Sequence, residues 1–188
     1  MTHTIFKIFT VAQHEQEENW LNEMSNKGLQ LLSVGVGYYR FEDGPAGEYQ
    51  YKIELLPNSP SHMESLSYIG FLRDMGIECV ATYLRWVYFR KKADGAPFVL
   101  YSDIPSNIKH YERVLSLCRV LYAVNFFAAI VNAFVVIADI LEGAFRHIAV
   151  NGVASVFGFL VAGIIFSYSR PMKVRLKQMR REKTVREY

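Results

Sequence analysis

The chain has 188 residues, 51% of them hydrophobic and 14% aromatic, with a formal net charge of +3. This is too apolar for a disordered chain, and two cysteines are too few for a disulfide-stapled scaffold. The charge is uneven, with nine Lys or Arg against 13 Asp or Glu in residues 1–104 and eight against two in residues 169–188. The acidic N-terminal part argues against direct nucleic-acid binding, which relies on neutralising phosphates.

In chain order, residues 5–9 are rich in β-formers, and residues 15–27 read as a helix with Trp20, Leu21 and Met24 at core spacing. Gly28 suits the left-handed position that ends a helix, and Gly35 and Gly37 bracket a turn between strands 29–34 and 38–42. Tyr49, Tyr51, Ile53 and Leu55 alternate with polar residues, the pattern of a half-buried strand. A helix over 61–75 follows, with Leu66, Ile69, Leu72 and Met75 facing inward. Strands are expected at 77–83 and 86–91, with a short one at 98–101.

Residues 20–43 align without a gap on residues 68–91 at an offset of 48, placing Trp20 on Tyr68, Met24 on Leu72, Gly28 on Gly76 and Phe41 on Phe89. The expectation is an α+β fold for residues 1–104: tandem strand-helix-strand-strand units, 4–43 and 49–92, forming an antiparallel or mixed sheet with both helices on one face. The opposite face would carry Tyr38, Arg40, Tyr83, Trp86 and Tyr88, a candidate partner or ligand face. A second copy of the chain, the strand at 98–101 or the bilayer are the other covers such a face admits.

Ile108, Tyr111, Leu115, Cys118 and Tyr122 fall at helical spacing, so a juxtamembrane helix over 105–120 should run into the apolar segment 121–140. A second apolar segment covers 148–168, and the two are joined by a hinge at 141–147. Each is long enough to cross the ~30 Å hydrocarbon core at about 1.5 Å per residue, giving an α-helical two-span transmembrane hairpin. Lys109, Arg113 and Arg119 precede the first span, eight basic residues follow the second, and the hinge offers only Arg146 with His147. The positive-inside rule then puts both termini in the cytoplasm and the hinge outside. With no signal-peptide pattern at residues 1–10, the first span is expected to direct its own insertion.

Along the first span Asn125, Asn132 and Asp139 recur every seven residues, and Asn151, Ser155, Gly158 and Ala162 form a small or polar side on the second. In antiparallel packing Asp139 would meet Asn151, Asn132 would lie near Ser155 or Gly158, and Asn125 near Ala162. Such amides serve as interhelical glue at roughly 0.6–2 kcal/mol each, or mark a polar path through the membrane. The basic tail 169–188, with Val174, Leu176 and Met179 as apolar anchors, holds the C-terminus inside and offers a surface to anionic lipid.

Catalytic and metal chemistry find no pattern. His14-Glu15-Gln16-Glu17-Glu18 lacks the second histidine of a zinc-protease helix, and its acids suit the positive end of a helix. The other histidines lack ligand spacing, and Gly35-Val36-Gly37 is a hairpin turn rather than a phosphate loop. Cys79 and Cys118 would face a reducing compartment, where each is most simply a packed apolar residue. No cofactor, metal or catalytic residue is expected.

Trp20-Leu21-Asn22, Lys27-Gly28, residues 39–42, residues 49–53, Gly76 with its following strand, residues 86–91 and Tyr101-Ser102-Asp103 together resemble the bacterial family catalogued as domain of unknown function 2812, over about residues 4–115. The resemblance implies a membrane-associated protein linked to transcriptional control through PadR-type regulators, and it supplies no activity or site residues. The tandem units also look like drug-binding effector domains related to the gyrase inhibitor protein, by fold analogy alone. The expected function is a membrane-anchored, non-catalytic regulatory or sensor protein whose cytoplasmic domain binds a protein partner. The alternatives are an accessory subunit of an exporter, suggested by the polar stripe, and a tethered small-molecule-binding domain that takes apolar cations.

Overall fold

A computed structural model describes residues 1–101, 103–143 and 147–186, with residues 185 and 186 described by backbone alone. Ser102 of the Tyr101-Ser102-Asp103 motif, Arg146 of the hinge, and Glu187 and Tyr188 of the tail lie outside the described residues. The chain divides into two units, Met1–Arg113 and Val114–Tyr188.

In the first unit the order is β1 (Thr2–Phe6), α1 (His14–Asn26), β2 (Leu29–Gly35), β3 (Tyr38–Asp43), β4 (Tyr49–Leu55), α2 (Met63–Asp74), β5 (Ile77–Tyr83) and β6 (Trp86–Lys92). The fold is α+β, but the described strands form two three-stranded antiparallel sheets rather than one, ordered β1-β3-β2 and β4-β6-β5. The two halves share more than element order. Each inner ladder shifts register once, between Leu31 and Ser33 and between Cys79 and Ala81, positions also 48 residues apart.

β1 lies earlier than residues 5–9 because its ladder to β3 ends at Phe6 opposite Tyr38. After a last bond from Lys7 N–H to the Gly37 carbonyl, 3.0 Å, the chain turns to enter the helix. There the Thr10 backbone N–H donates to Gln13 Oε1 at 3.0 Å, the reciprocal half of a capping box. At the other end Gly28 takes φ 80°, and a Cβ there would stand 2.9 Å from the Gly44 carbonyl oxygen, so both conformation and space demand glycine.

α1 lies over β2 and β4, burying Trp20, Leu21 and Met24. Its polar side chains also close the free edge of β4. Asn22 accepts from Tyr51 N–H at 2.8 Å and donates to the Tyr51 carbonyl at 3.1 Å, while Glu18 accepts from Ile53 N–H at 3.2 Å. An exposed strand edge invites pairing with other chains, and here a helix satisfies it internally.

α2 covers the second sheet through Ser65, Tyr68, Ile69 and Leu72, packed on a core of Leu56, Ile77, Val87, Phe89 and Phe98. The inward face therefore differs from expectation: Leu66 and Met75 are 57% and 59% exposed. The segment at 98–101 has no ladder partner among the described residues. Phe98 is a core plug, drawn in by the apolar volume under α2 rather than by strand pairing.

α3 (Ile104–Leu141) and α4 (Ile148–Arg186) are each long and apolar enough to cross a membrane. α4 continues through Pro171, which has no N–H to give the Ser167 carbonyl. Within the second unit Ser155 donates to the Ala129 carbonyl across the helix pair at 2.9 Å, and a Cβ on Gly158 would stand 3.0 Å from the Ala129 Cβ. Small residues thus set the approach of the two backbones. The asparagines do not bridge it: Asn125, Asn132 and Asn151 donate to the carbonyls of Leu121, Ala128 and His147 on or beside their own helices. Asp139 takes the His147 N–H at 3.1 Å rather than Asn151. In the tail Leu176 is buried as expected of an anchor, but Val174 is 58% exposed and Met172, one helical turn before Leu176, is buried in its place.

Gly158→Leu should therefore destabilise the hairpin by about 1–3 kcal/mol. Gly163, where an added Cβ would meet nothing within 4 Å, should tolerate the same change with little effect. Unfolding of the full chain by SDS in mixed micelles, followed by loss of helicity, measures both.

Candidate functional site

The sequence placed Trp86 and Tyr88 on an outer aromatic face. They are instead 9% and 4% exposed, because β6 is the central strand of its sheet and is covered on both sides. Val87 and Phe89 point into the α2 core, while Trp86 and Tyr88 point to the side of α1, where the His14 ring lies 5.7 Å from Trp86. Of the other three residues, Arg40 is exposed, Tyr38 is 38% exposed and Tyr83 is half-buried. Tyr83, Trp86 and Tyr88 do come together, as part of the wall of a cavity of about 200 Å³. Tyr38 and Arg40 do not line it.

The cavity is built from both sheets and the entry to α1. Lys7, Phe9, Thr10 and Val11 supply one side, Val34 to Gly37 and Tyr39 another, and His14 and Glu17 of α1 complete it with Tyr83, Trp86 and Tyr88. Glu17, one of the acids assigned to the helix N-terminus, is 8% exposed. Its Oε1 accepts from the Tyr39 hydroxyl of the first sheet at 2.7 Å and from the Tyr88 hydroxyl of the second at 2.6 Å. Burial raises the Glu17 carboxyl above the usual carboxylate range, against the hydrogen bonds from Tyr88 and Tyr39. Burial and the adjacent carboxylate push both hydroxyls above the ordinary tyrosine range, so they remain donors. Oε2 receives no hydrogen bond from a described residue, and no Lys or Arg pairs with Glu17 among them.

A second buried carboxylate shows the contrasting case. Glu54, 3% exposed on β4, accepts from Tyr68 of α2 at 2.8 Å, from Tyr101, and from Arg113 of α3 at 3.2 Å. Burial raises its pKa while the two tyrosines and Arg113 lower it. Arg113 also donates to the Leu55 carbonyl at 3.0 Å, so this cluster fastens the start of α3 to β4. A cavity of about 220 Å³ adjoins it, lined by Asn58, Ser65, Lys109 and Arg113 among others. Glu54 has its counter-charge in Arg113, and no Lys or Arg does the same for Glu17 among the described residues.

The sequence carried a signal for Glu17. It falls at positions 17, 20, 21 and 24, the i, i+3, i+4, i+7 stripe that Trp20, Leu21 and Met24 define, and a carboxylate on an apolar stripe is the informative exception. Glu54 showed no comparable signal, because alternation in β4 assigns it to the polar side. That side is covered by Tyr68, Tyr101 and Arg113, which come from distant parts of the chain.

The fold and site thus define an α+β domain, with a buried carboxylate in an aromatic cavity, followed by two helices of membrane-crossing length. The model of the family described as protein of unknown function (DUF2812) matches residues 13–123, more than half of the chain, and the chain belongs to that family. No curated protein and no solved structure matches it.

His110 of α3 is buried 5.3 Å from the His14 ring, with Tyr101 and Tyr111 beside it. Burial, with the charges of His14, Arg113 and Lys52, depresses its pKa to about 3. The unfolded chain takes up this proton near the ordinary value of about 6.5, so the group favours the folded state above that pH, and its contribution is lost as pH falls from about 6.5 towards 3. The raised carboxyls of Glu17, Glu18 and Glu54 act in the opposite direction, so comparison with a variant isolates the histidine. Relative to wild type, His110→Phe should gain stability between pH 7 and pH 4, measured by denaturant unfolding of the full chain in neutral detergent.

Proposed function

We propose that the protein is a membrane-anchored, non-catalytic sensor whose N-terminal domain takes a small molecule into the Glu17 cavity and reports its occupancy to a protein partner. The observation that carries this reading is the cavity itself. A buried carboxylate is held on one oxygen by two tyrosines from different sheets while its other oxygen has no partner among the described residues. Largely aromatic surroundings with a few placed polar groups are the usual composition of a ligand site. Because Tyr39 and Tyr88 belong to separate sheets, a ligand that moves the Glu17 carboxylate acts on both.

The two long helices support anchoring at a bacterial inner membrane, and the distribution of Lys and Arg supports cytoplasmic termini. The basic part of α4 then lies beside anionic lipid. A PadR-type transcriptional regulator is the partner that the family resemblance implies, and self-association is compatible with the same role. An exporter subunit is less well supported. It rests on the polar stripe, whose asparagine amides are taken up by carbonyls on or beside their own helices.

Two outcomes test the reading. A charge-diverse library of compact aromatic compounds, screened against the full chain in neutral detergent, should contain members that raise the melting temperature and alter the fluorescence of Trp20 and Trp86. Val34→Trp, which fills the cavity, should abolish both responses. A library with no responding member of any charge would remove the sensor reading. For topology, Cys79→Ser and Cys118→Ser provide a cysteine-free background. A membrane-impermeant maleimide should label Glu142→Cys in intact cells and leave Lys177→Cys unlabelled until the cells are opened; the reverse pattern would invert the topology.

A further inference from the structure

We infer that the Glu17 cavity is a site for a compact organic monocation with an aromatic body, whose charge is received by Glu17 Oε2. The inference rests on the ligand-binding reading above and narrows its ligand, from the apolar cations that the tethered-domain alternative expects, to one charge, one ring and one receiving oxygen.

Three observations point to a cation. Glu17 is buried, at 8% exposure, and has no Lys or Arg partner among the described residues. Tyrosine hydroxyls can stabilise such a carboxylate but cannot neutralise it, and a buried charge without a counter-charge is costly. The equivalent need at Glu54 is met by Arg113 from within the chain. The second observation is that Tyr39 and Tyr88 converge on one oxygen, which fixes the carboxylate and leaves the other free on a residue that lines the cavity.

The third is the aromatic wall. Phe9, Tyr39, Tyr83, Trp86 and Tyr88 line the cavity, and an aromatic ring met on its face attracts a cation at roughly 0.5–2 kcal/mol. The chain's own Lys7 shows the preference at the rim, its ammonium 4.7 Å from the Trp20 ring and 5.1 Å from Phe9. An anion would meet the Glu17 charge, and a neutral molecule would leave it uncompensated. The volume of about 200 Å³ suits a single ring with a small cationic group.

The probes are benzyltrimethylammonium, benzyl alcohol and benzoate, which share a ring and differ in charge. With the full chain in neutral detergent, the cation should saturably change the fluorescence of its two tryptophans, Trp20 and Trp86, and the alcohol and benzoate should not. Glu17→Gln keeps the shape and removes the charge, and should weaken the cation by at least about tenfold. If that variant does not fold, Glu17→Asp keeps the charge but withdraws it by one methylene, and should weaken binding about fivefold. Unchanged affinity in the variant that folds would overturn the inference, as would failure of the cation to bind. Binding of the alcohol or benzoate in its place would overturn the cation assignment while leaving the cavity a ligand site. That separates this failure from a library with no responding member.

Discussion

One carboxylate joins the two halves of the N-terminal domain. Glu17 projects from α1 between the sheets and takes a hydroxyl from each, Tyr39 of β3 and Tyr88 of β6. Hydrogen bonds to a charged group contribute about 1.5–3 kcal/mol apiece, against a desolvation cost of several kcal/mol for the buried anion. The arrangement fixes position more than it adds stability, because the two hydroxyls define where the sheets stand relative to the helix. The edge of β4 depends on the same placement: with α1 held, Asn22 and Glu18 meet the Tyr51 and Ile53 backbone groups, and Ser25 donates to the Tyr49 carbonyl at 2.7 Å.

The two buried glutamates divide the work of the domain. Glu54 collects α2, the segment ending at Tyr101 and the start of α3 around a charge that Arg113 compensates, which describes a structural joint. Glu17 likewise takes two tyrosine hydroxyls, from Tyr39 and Tyr88, and each glutamate lines a cavity, but Glu17 has no Lys or Arg partner among the described residues. Similar chemistry therefore gives a charge-compensated cluster in one half and an uncompensated one in the other. The difference lies in one residue, Arg113, which α3 brings to Glu54 and which has no counterpart at Glu17 among the described residues.

The elements themselves were largely legible in the sequence, because strand alternation and the glycines at helix ends are local signals. Tyr49 to Leu55 could be read from its period of two, and the ends of α1 and α2 from Gly28 and Gly76, which adopt φ 80° and 79°. The candidate site was not legible in the same way. In β6 four consecutive residues, Trp86 to Phe89, are buried, so alternation cannot say that one face meets α2 and the other α1. Reading one face as outward followed from assuming a single sheet with a free side. Two sheets that meet at β2 and β5 and are bridged by α1 have no such side at β6, where Tyr88 bonds to Glu17, a residue far away in the sequence. The inward face of α2 is hidden in the sequence for a related reason: the helix carries apolar residues around much of its surface, and only the packed core selects Ser65, Tyr68, Ile69 and Leu72.

In the helical hairpin the seven-residue spacing of Asn125, Asn132 and Asp139 suggested a polar seam, but spacing alone does not decide what an amide bonds to. In an apolar surrounding the nearest acceptor for an asparagine side chain is the carbonyl one turn back, and all three asparagines use an acceptor of that kind, four residues earlier in the chain. An amide spent locally removes an obstacle to burial without specifying a partner helix. Specificity falls instead to shape, where Gly158 admits Ala129 and Ser155 reaches the Ala129 carbonyl. Close backbone approach through small side chains needs no charge and no bound ion. The packing of the hairpin therefore rests on Ala129, Ser155 and Gly158, groups separate from the Glu17 cluster of the first unit.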